Sequence, residues 1–237
     1  LYSKYEKMLG LPRPLLAAVG LGLTLGFWRG FGLSLATLIA LLVLLALTVL
    51  APPLIKRLGL ERLSPNQVTL AGLIVSLAAV YPLASGRFEL GFVLVLTSSL
   101  LDMLDGYLAR QTNRVSRRGG FLDSVLDRVA DAAVLGGLCF HFLDQGRPIW
   151  FGLTLAALVG AFMVSYTRAR AEVFLDRCEI GFGGERPDRL IALVATGIIA
   201  RPEIGVVYVV VFAWLTTLRR IIYAWTRLAD QPPKTGK

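Results

Sequence analysis

Histidine and cysteine are nearly absent from this chain: one histidine, His141, and two cysteines, Cys139 and Cys178, in 237 residues. That scarcity excludes a zinc site built on imidazole and thiolate, and the cysteines stand at neither metal-ligand nor disulfide spacing. Cys139 lies in an apolar run and reads as inert packing. Charge is scarce as well. Only 17% of residues are charged against 55% hydrophobic, and mean hydropathy is +0.65. Soluble domains carry more charge and less apolar surface. Acidic residues number 16 against 25 basic, and segments 14–28 and 32–51 hold none. No fixed-period repeat is present. No charged-then-apolar start with a cleavage site is visible, so a signal peptide is not expected. Residue 1 is Leu, which fits a piece of a longer protein or a segment already removed.

What the chain has in abundance is long apolar runs. Phe31–Leu50 alone reaches the length needed to cross a bilayer. Apolar segments fall near 14–28, 32–51, 65–84, 88–109, 119–142, 149–171, 187–200 and 204–225. The first is about 15 residues, short for a span. Alternate connections between segments differ sharply in charge. One set holds 20 of the 25 basic residues; the other holds only Arg29, Arg87, Arg147 and Arg201. This is the positive-inside pattern, so the net charge of +9 reflects membrane topology and not a nucleic-acid surface. It predicts an all-α polytopic bundle of eight spans in the cell membrane with both termini cytoplasmic.

Residues 1–63 read as an apolar hairpin followed by a juxtamembrane segment. Within 52–63, Leu54, Ile55, Leu58, Leu60 and Leu63 alternate with Lys56, Arg57 and Arg62. That pattern suits an amphipathic helix on the membrane surface, with a plain basic loop as the other reading. Ser64-Pro65 then caps and starts the next helix. Gly86, Gly146 and Arg201-Pro202 mark turns on the far side. Residues 228–237, with two prolines and two lysines, are expected to be a disordered tail.

Against this apolar background stand four carboxylates. Asp102 and Asp105 are three apart, and Asp123 and Asp127 four apart, so each pair shares a helix face. A carboxylate at mid-bilayer costs about 2.5–3.5 kcal/mol on insertion scales, so four uncompensated would cost roughly 10 kcal/mol. The cluster is therefore expected at an interface, neutralised by cations. Gln111–Arg118 gives the chain room to reverse, so the two helix ends can face each other. Hard oxygen ligands in this number suit Mg²⁺ or Mn²⁺ and can bridge two ions. Gly106, Ala109 and Gly119 beside them bare the backbone for a flat or bulky ligand. By themselves these small residues would indicate close helix packing. A cation transporter would spread its acids through the membrane depth. Here they lie at the ends of two adjacent spans.

The pattern Asp102-x-x-Asp105-Gly106-x-x-Ala109-Arg110, eight residues, Gly119-x-x-x-Asp123-x-x-x-Asp127 closely resembles the motif of the CDP-alcohol phosphotransferase family. The resemblance covers roughly residues 60–227, so residues 64–227 form the family domain. It implies a six-helix core, to which the N-terminal hairpin is an addition, and a homodimer. It also implies transfer of a substituted phosphate group from a CDP-linked alcohol to a second alcohol, with release of CMP. Asp102, Asp105, Asp123 and Asp127 would be metal ligands, with Asp127 also the general base. Gly106, Ala109 and Gly119 would make room for cytidine, and Arg110 would pair with the diphosphate or an aspartate. Asn66 and Thr69 match a Pro-Asn-x-x-Thr stretch of the family and would line the nucleotide site, although capping and packing explain them nearly as well. Asp131, one turn beyond Asp127, would accept from Arg128 or support the site.

The acceptor is read from arginines. Arg186 and Arg189 flank Pro187 at a helix start, a natural anion site. Arg168 and Arg170 lie two apart, on different faces of an ideal helix. The stretches Ser165–Glu172 and Glu185–Arg189 resemble those of inositol-phosphate-using family members, whose basic residues bind the acceptor phosphate. Glycerol 3-phosphate is also an anion, so a phosphatidylglycerophosphate-type synthase stays open, as does a di-inositol-phosphate synthase.

Overall fold

The computed structural model describes residues 64–112, 114–178 and 183–229. The expected hairpin, the amphipathic segment 52–63 and residues 230–237 of the expected tail lie outside the described residues. The rest is helical: α1 (Pro65–Ala78), α2 (Val80–Ala84), α3 (Phe88–Gln111), α4 (Arg117–Asp144), α5 (Pro148–Phe174), α6 (Arg186–Ile198) and α7 (Pro202–Ala229). The last helix continues to Ala229, two residues into the stretch read as tail.

Helix starts follow the sequence. Ser64 and Gln67 form a capping box: Gln67 N–H donates to Ser64 Oγ at 3.3 Å, and Ser64 N–H donates to Gln67 Oε1 at 3.0 Å. Ser116 caps α4 by accepting from Gly119 N–H at 3.0 Å. Pro65, Pro148 and Pro187 occupy first-turn positions, where their missing N–H costs nothing.

Segment 65–84, expected as one helix, is interrupted at Ala79. Pro82 has no N–H to offer the carbonyl of Ala78, and the ladder breaks there. The two pieces still serve as one crossing. Pro65–Ala84, Phe88–Gln111, Pro148–Phe174 and Pro202–Ala229 are each long and apolar enough to span a membrane. The chain is thus a polytopic helical membrane protein.

The six-helix core does not supply six spans of that quality. α4 has 28 residues, about 42 Å of helix, but most of its charged residues lie in its first half. α6 has 13 residues, about 20 Å, short of a hydrocarbon core of about 30 Å. The expected span over 187–200 is a short helix that runs from the aspartates to the turn at Ala200, and Asp188 and Arg189 in its first turn are buried against protein.

Helices alternate in direction. α5 packs on α7 and α4, α3 on α1 and α6, and α6 on α7, around a core that includes Phe92, Leu138, Phe142, Val164 and Val206. Contact is close where side chains are small. A Cβ on Gly197 of α6 would fall 1.9 Å from the Phe92 ring. Both cysteines are buried and free, as inert packing requires.

Candidate active site

Helical spacing delivers the first result. Asp102 from α3 and Asp123 and Asp127 from α4 each present a carboxylate oxygen within 4.8 Å of the others. Such a group can hold a metal ion. Asp123 Oδ1 is buried with no hydrogen-bond partner among the described residues, an orphaned acceptor of the kind a cation satisfies. Asp105, expected with these three, is held aside. Its Oδ2 accepts from the Thr69 hydroxyl at 2.5 Å, an oxygen that also lies 3.0 Å from the Pro65 carbonyl. Thr69 is thus seen to orient an aspartate.

The glycine positions face the same region. Gly119 sits against the Ser116 cap, and a Cβ there would lie 3.7 Å from Asn66 Oδ1, so the starts of α1 and α4 adjoin. Gly106 lies under the Arg110 guanidinium, 3.4 Å from the position of a Cβ. Ala109 follows one turn on, in the same helix. A small cleft opens here, lined in part by Thr69, Gly72, Asp102, Asp127 and Arg186.

Arginines neutralise the carboxylates. Arg186 Nη1 lies 2.8 Å from Asp102 Oδ2 and 2.6 Å from Asp127 Oδ1, and its Nε lies 3.3 Å from Asp131 Oδ1. Arg189 Nη2 donates to Asp131 Oδ2 at 2.6 Å, and its Nη1 to the Gly184 carbonyl at 2.7 Å. Asp131 therefore serves Arg186 and Arg189. Arg128, the partner expected for it, pairs with Asp127 at 3.3 Å. The arginines expected at the acceptor divide into two groups. Arg186 and Arg189 are joined through Asp131. On α5, Arg168 pairs with Glu172 at 3.0 Å and Arg170 lies over the Phe174 ring.

One buried cation was not singled out from sequence. Arg220 of α7 is 1% exposed and donates to Glu185 and to the Val164 carbonyl. Glu185 immediately precedes α6, so Arg220 ties down the residue before Arg186. A signal existed: Ala213, Thr216, Thr217 and Arg220 recur at core-facing spacing and are all buried.

Residues 62–229 match the family described as CDP-alcohol phosphatidyltransferase. The chain belongs to that family. It is a transferase of substituted phosphate groups. An archaetidylinositol phosphate synthase from Pyrococcus horikoshii is 36% identical over 174 residues, 73% of this chain and 89% of that protein. A crystal structure of Mycobacterium tuberculosis phosphatidylinositol phosphate synthase with CDP-DAG bound is 29% identical. It superposes with a TM-score of 0.68 over 78% of this chain and 96% of that one. The same enzyme with manganese and citrate is 30% identical, with a TM-score of 0.67 over 81% and 92% of the two chains. This family member therefore shares the fold of those solved structures.

Proposed function

We propose that this transferase moves a phosphatidyl-type group from a CDP-linked lipid, CDP-diacylglycerol or its ether analogue, to a hydroxyl of inositol 1-phosphate, releasing CMP. The observation that carries this reading is the placement of Arg186: it touches Asp102 and Asp127 directly and is backed by Arg189 through Asp131. Two guanidinium groups at a helix start, beside a carboxylate cluster, suit an anionic acceptor brought to a reacting centre. The names of the relatives from Pyrococcus horikoshii and Mycobacterium tuberculosis agree with it.

Asp102, Asp105, Asp123 and Asp127 would hold two divalent cations, Mg²⁺ or Mn²⁺. The acidic oxygen donors and the orphaned Asp123 Oδ1 fit such ions. Bound there, the ions supply charge neutralisation of the diphosphate and of the departing phosphate. Asp127 takes the proton from the acceptor hydroxyl. The hydroxyl oxygen bonds to the lipid-side phosphorus, the phosphorus–oxygen bond to CMP breaks, and CMP leaves with the electron pair. Arg110 pairs with the diphosphate, while Gly106, Ala109 and Gly119 admit cytidine beside Asn66 and Thr69. Arg168 and Arg170 add positive charge from the end of α5. The excess of basic residues at this end supports a cytoplasmic site, and a homodimer is the assembly proposed.

The test is CMP release from CDP-diacylglycerol in Mg²⁺, with inositol 1-phosphate, glycerol 3-phosphate, inositol and serine compared as acceptors. Selective stimulation by inositol 1-phosphate is expected. Stimulation by another acceptor would reassign the arginines and keep the aspartate chemistry.

A further inference from the structure

Arg186 has two kinds of partner. Asp102 and Asp127, which its Nη1 contacts, belong to the carboxylate group able to hold a cation. Asp131, which its Nε contacts, lies one turn deeper on α4. The Asp131 side chain is 4% exposed and its second oxygen holds Arg189, itself fixed by the Gly184 carbonyl. Asp131 and Arg189 thus make a rigid base, with Arg186 hinged on it through Nε.

Space around Arg186 is divided. It lines the cleft that contains Asp102 and Asp127. It also lines a second, water-sized space bounded by Ser76, Ser98, Asp131 and Leu190. Arg186 thus borders a small open space on each side. A divalent cation and the Nη end seek the same oxygens, so each weakens the hold of the other, reciprocally.

We propose that Asp131 is a positioning residue that retains Arg186, together with Arg189, beside the aspartates when a divalent cation claims Asp102 and Asp127. Arg186 neutralises those carboxylates in the absence of the cation. Once released, its Nη end faces the acceptor phosphate while Nε stays on Asp131. This inference rests on the reading of Arg186 as an acceptor-phosphate ligand.

Two measurements on the full chain in detergent test it: Mn²⁺ binding, followed by loss of the free-ion electron paramagnetic resonance signal without substrates, and separate KM values for inositol 1-phosphate and CDP-diacylglycerol. Arg186→Ala removes the competing cation and should tighten Mn²⁺ binding about tenfold. Asp131→Asn leaves Arg186 free to pair more fully with Asp102 and Asp127, and should weaken Mn²⁺ binding about threefold or more. The same variant should raise KM for inositol 1-phosphate by about tenfold, with KM for CDP-diacylglycerol changed less than about twofold.

The sign of the acceptor effect is diagnostic. Loss of a nearby negative charge would by itself lower KM for an anion, so an unchanged or lower value overturns positioning. Mn²⁺ binding that is unchanged or tighter in Asp131→Asn overturns it too. Should that variant not fold, Asp131→Glu keeps the charge and shifts the carboxylate by one methylene. Its acceptor KM should rise, and an unchanged value again overturns the proposal. If Arg186→Ala leaves acceptor KM unaltered, the acceptor reading fails, and the opposite Mn²⁺ shifts of the two variants still decide whether Asp131 tethers Arg186.

Discussion

At the end of the bundle remote from the aspartates, three helix-to-helix turns repeat one geometry, whereas the aspartate end is marked by ion pairs between side chains. Gly86, Gly146 and Ala200 each adopt positive φ, at 75°, 61° and 54°, and each is followed by an arginine. The arginine N–H bonds back five residues in every case: Arg87 to Pro82 O, Arg147 to Phe142 O, Arg201 to Thr196 O. These are paired Schellman closures. Charge there is sparse: Arg147 pairs with Glu203 at 2.7 Å and lies over the Phe142 and Trp150 rings. At the other end Arg186, Arg189 and Arg220 pair with Asp102, Asp127, Asp131 and Glu185. One end is closed by local, repeated turns. The other gathers charges that are costly to bury, as a site for charged ligands would.

The sharpest way to break this contrast is at Asp127. Asp127→Asn keeps the shape of the side chain and removes the base. Turnover should fall by at least about a hundredfold, within the range general bases contribute, while CDP-diacylglycerol binding is kept. Near-normal turnover would remove Asp127 from the chemistry and leave it a partner for Arg186 and Arg128.

A second test asks whether the entry to α6 matters as a shape. A Cβ on Gly184 would lie 2.3 Å from Thr216 Oγ1 and 2.4 Å from the Phe212 carbonyl. Gly184→Ala must therefore push the entry to α6 away from α7, at a cost of about 1–3 kcal/mol. Because the Gly184 carbonyl also holds Arg189, acceptor KM should rise with the loss of stability. Thermal unfolding and KM measured together decide this. A drop in stability with KM unchanged would uncouple the loop from the acceptor site.

Much of the site was legible because helix geometry turns spacing into direction. Asp102, Asp123 and Asp127 converge as their spacing implies, and Ser64 and Ser116 cap where short polar side chains precede helices. Partner choice was not legible. Nothing local tells that Asp105 takes Thr69, or that Asp131 takes Arg189, 58 residues away, over Arg128 nearby. Arg220 looked like one more charge at a cytoplasmic helix end, and only packing of α7 on α5 shows it buried. The break at Ala79 was written in Pro82, and the charged first turn of α6 is used inside the protein.

The smallest expected effect lies at the far end, at Ala200. Its two counterparts are glycines, for which positive φ carries no steric cost, whereas a Cβ in this region costs about 1–2 kcal/mol. Ala200→Gly relieves that strain but gives the unfolded chain more freedom, which takes back about 0.4–1 kcal/mol. The difference is a net gain of between zero and about 1.6 kcal/mol. An apparent rise of a few degrees in thermal midpoint is expected, with kcat and both KM values unchanged. Ala200 follows the C-cap of α6, whose first turn holds Arg186 and Arg189, so the helix would carry any mechanical coupling between the ends. A change in acceptor KM in this variant would show the far-end turn setting the arginines, and the division of labour between the two ends would no longer hold.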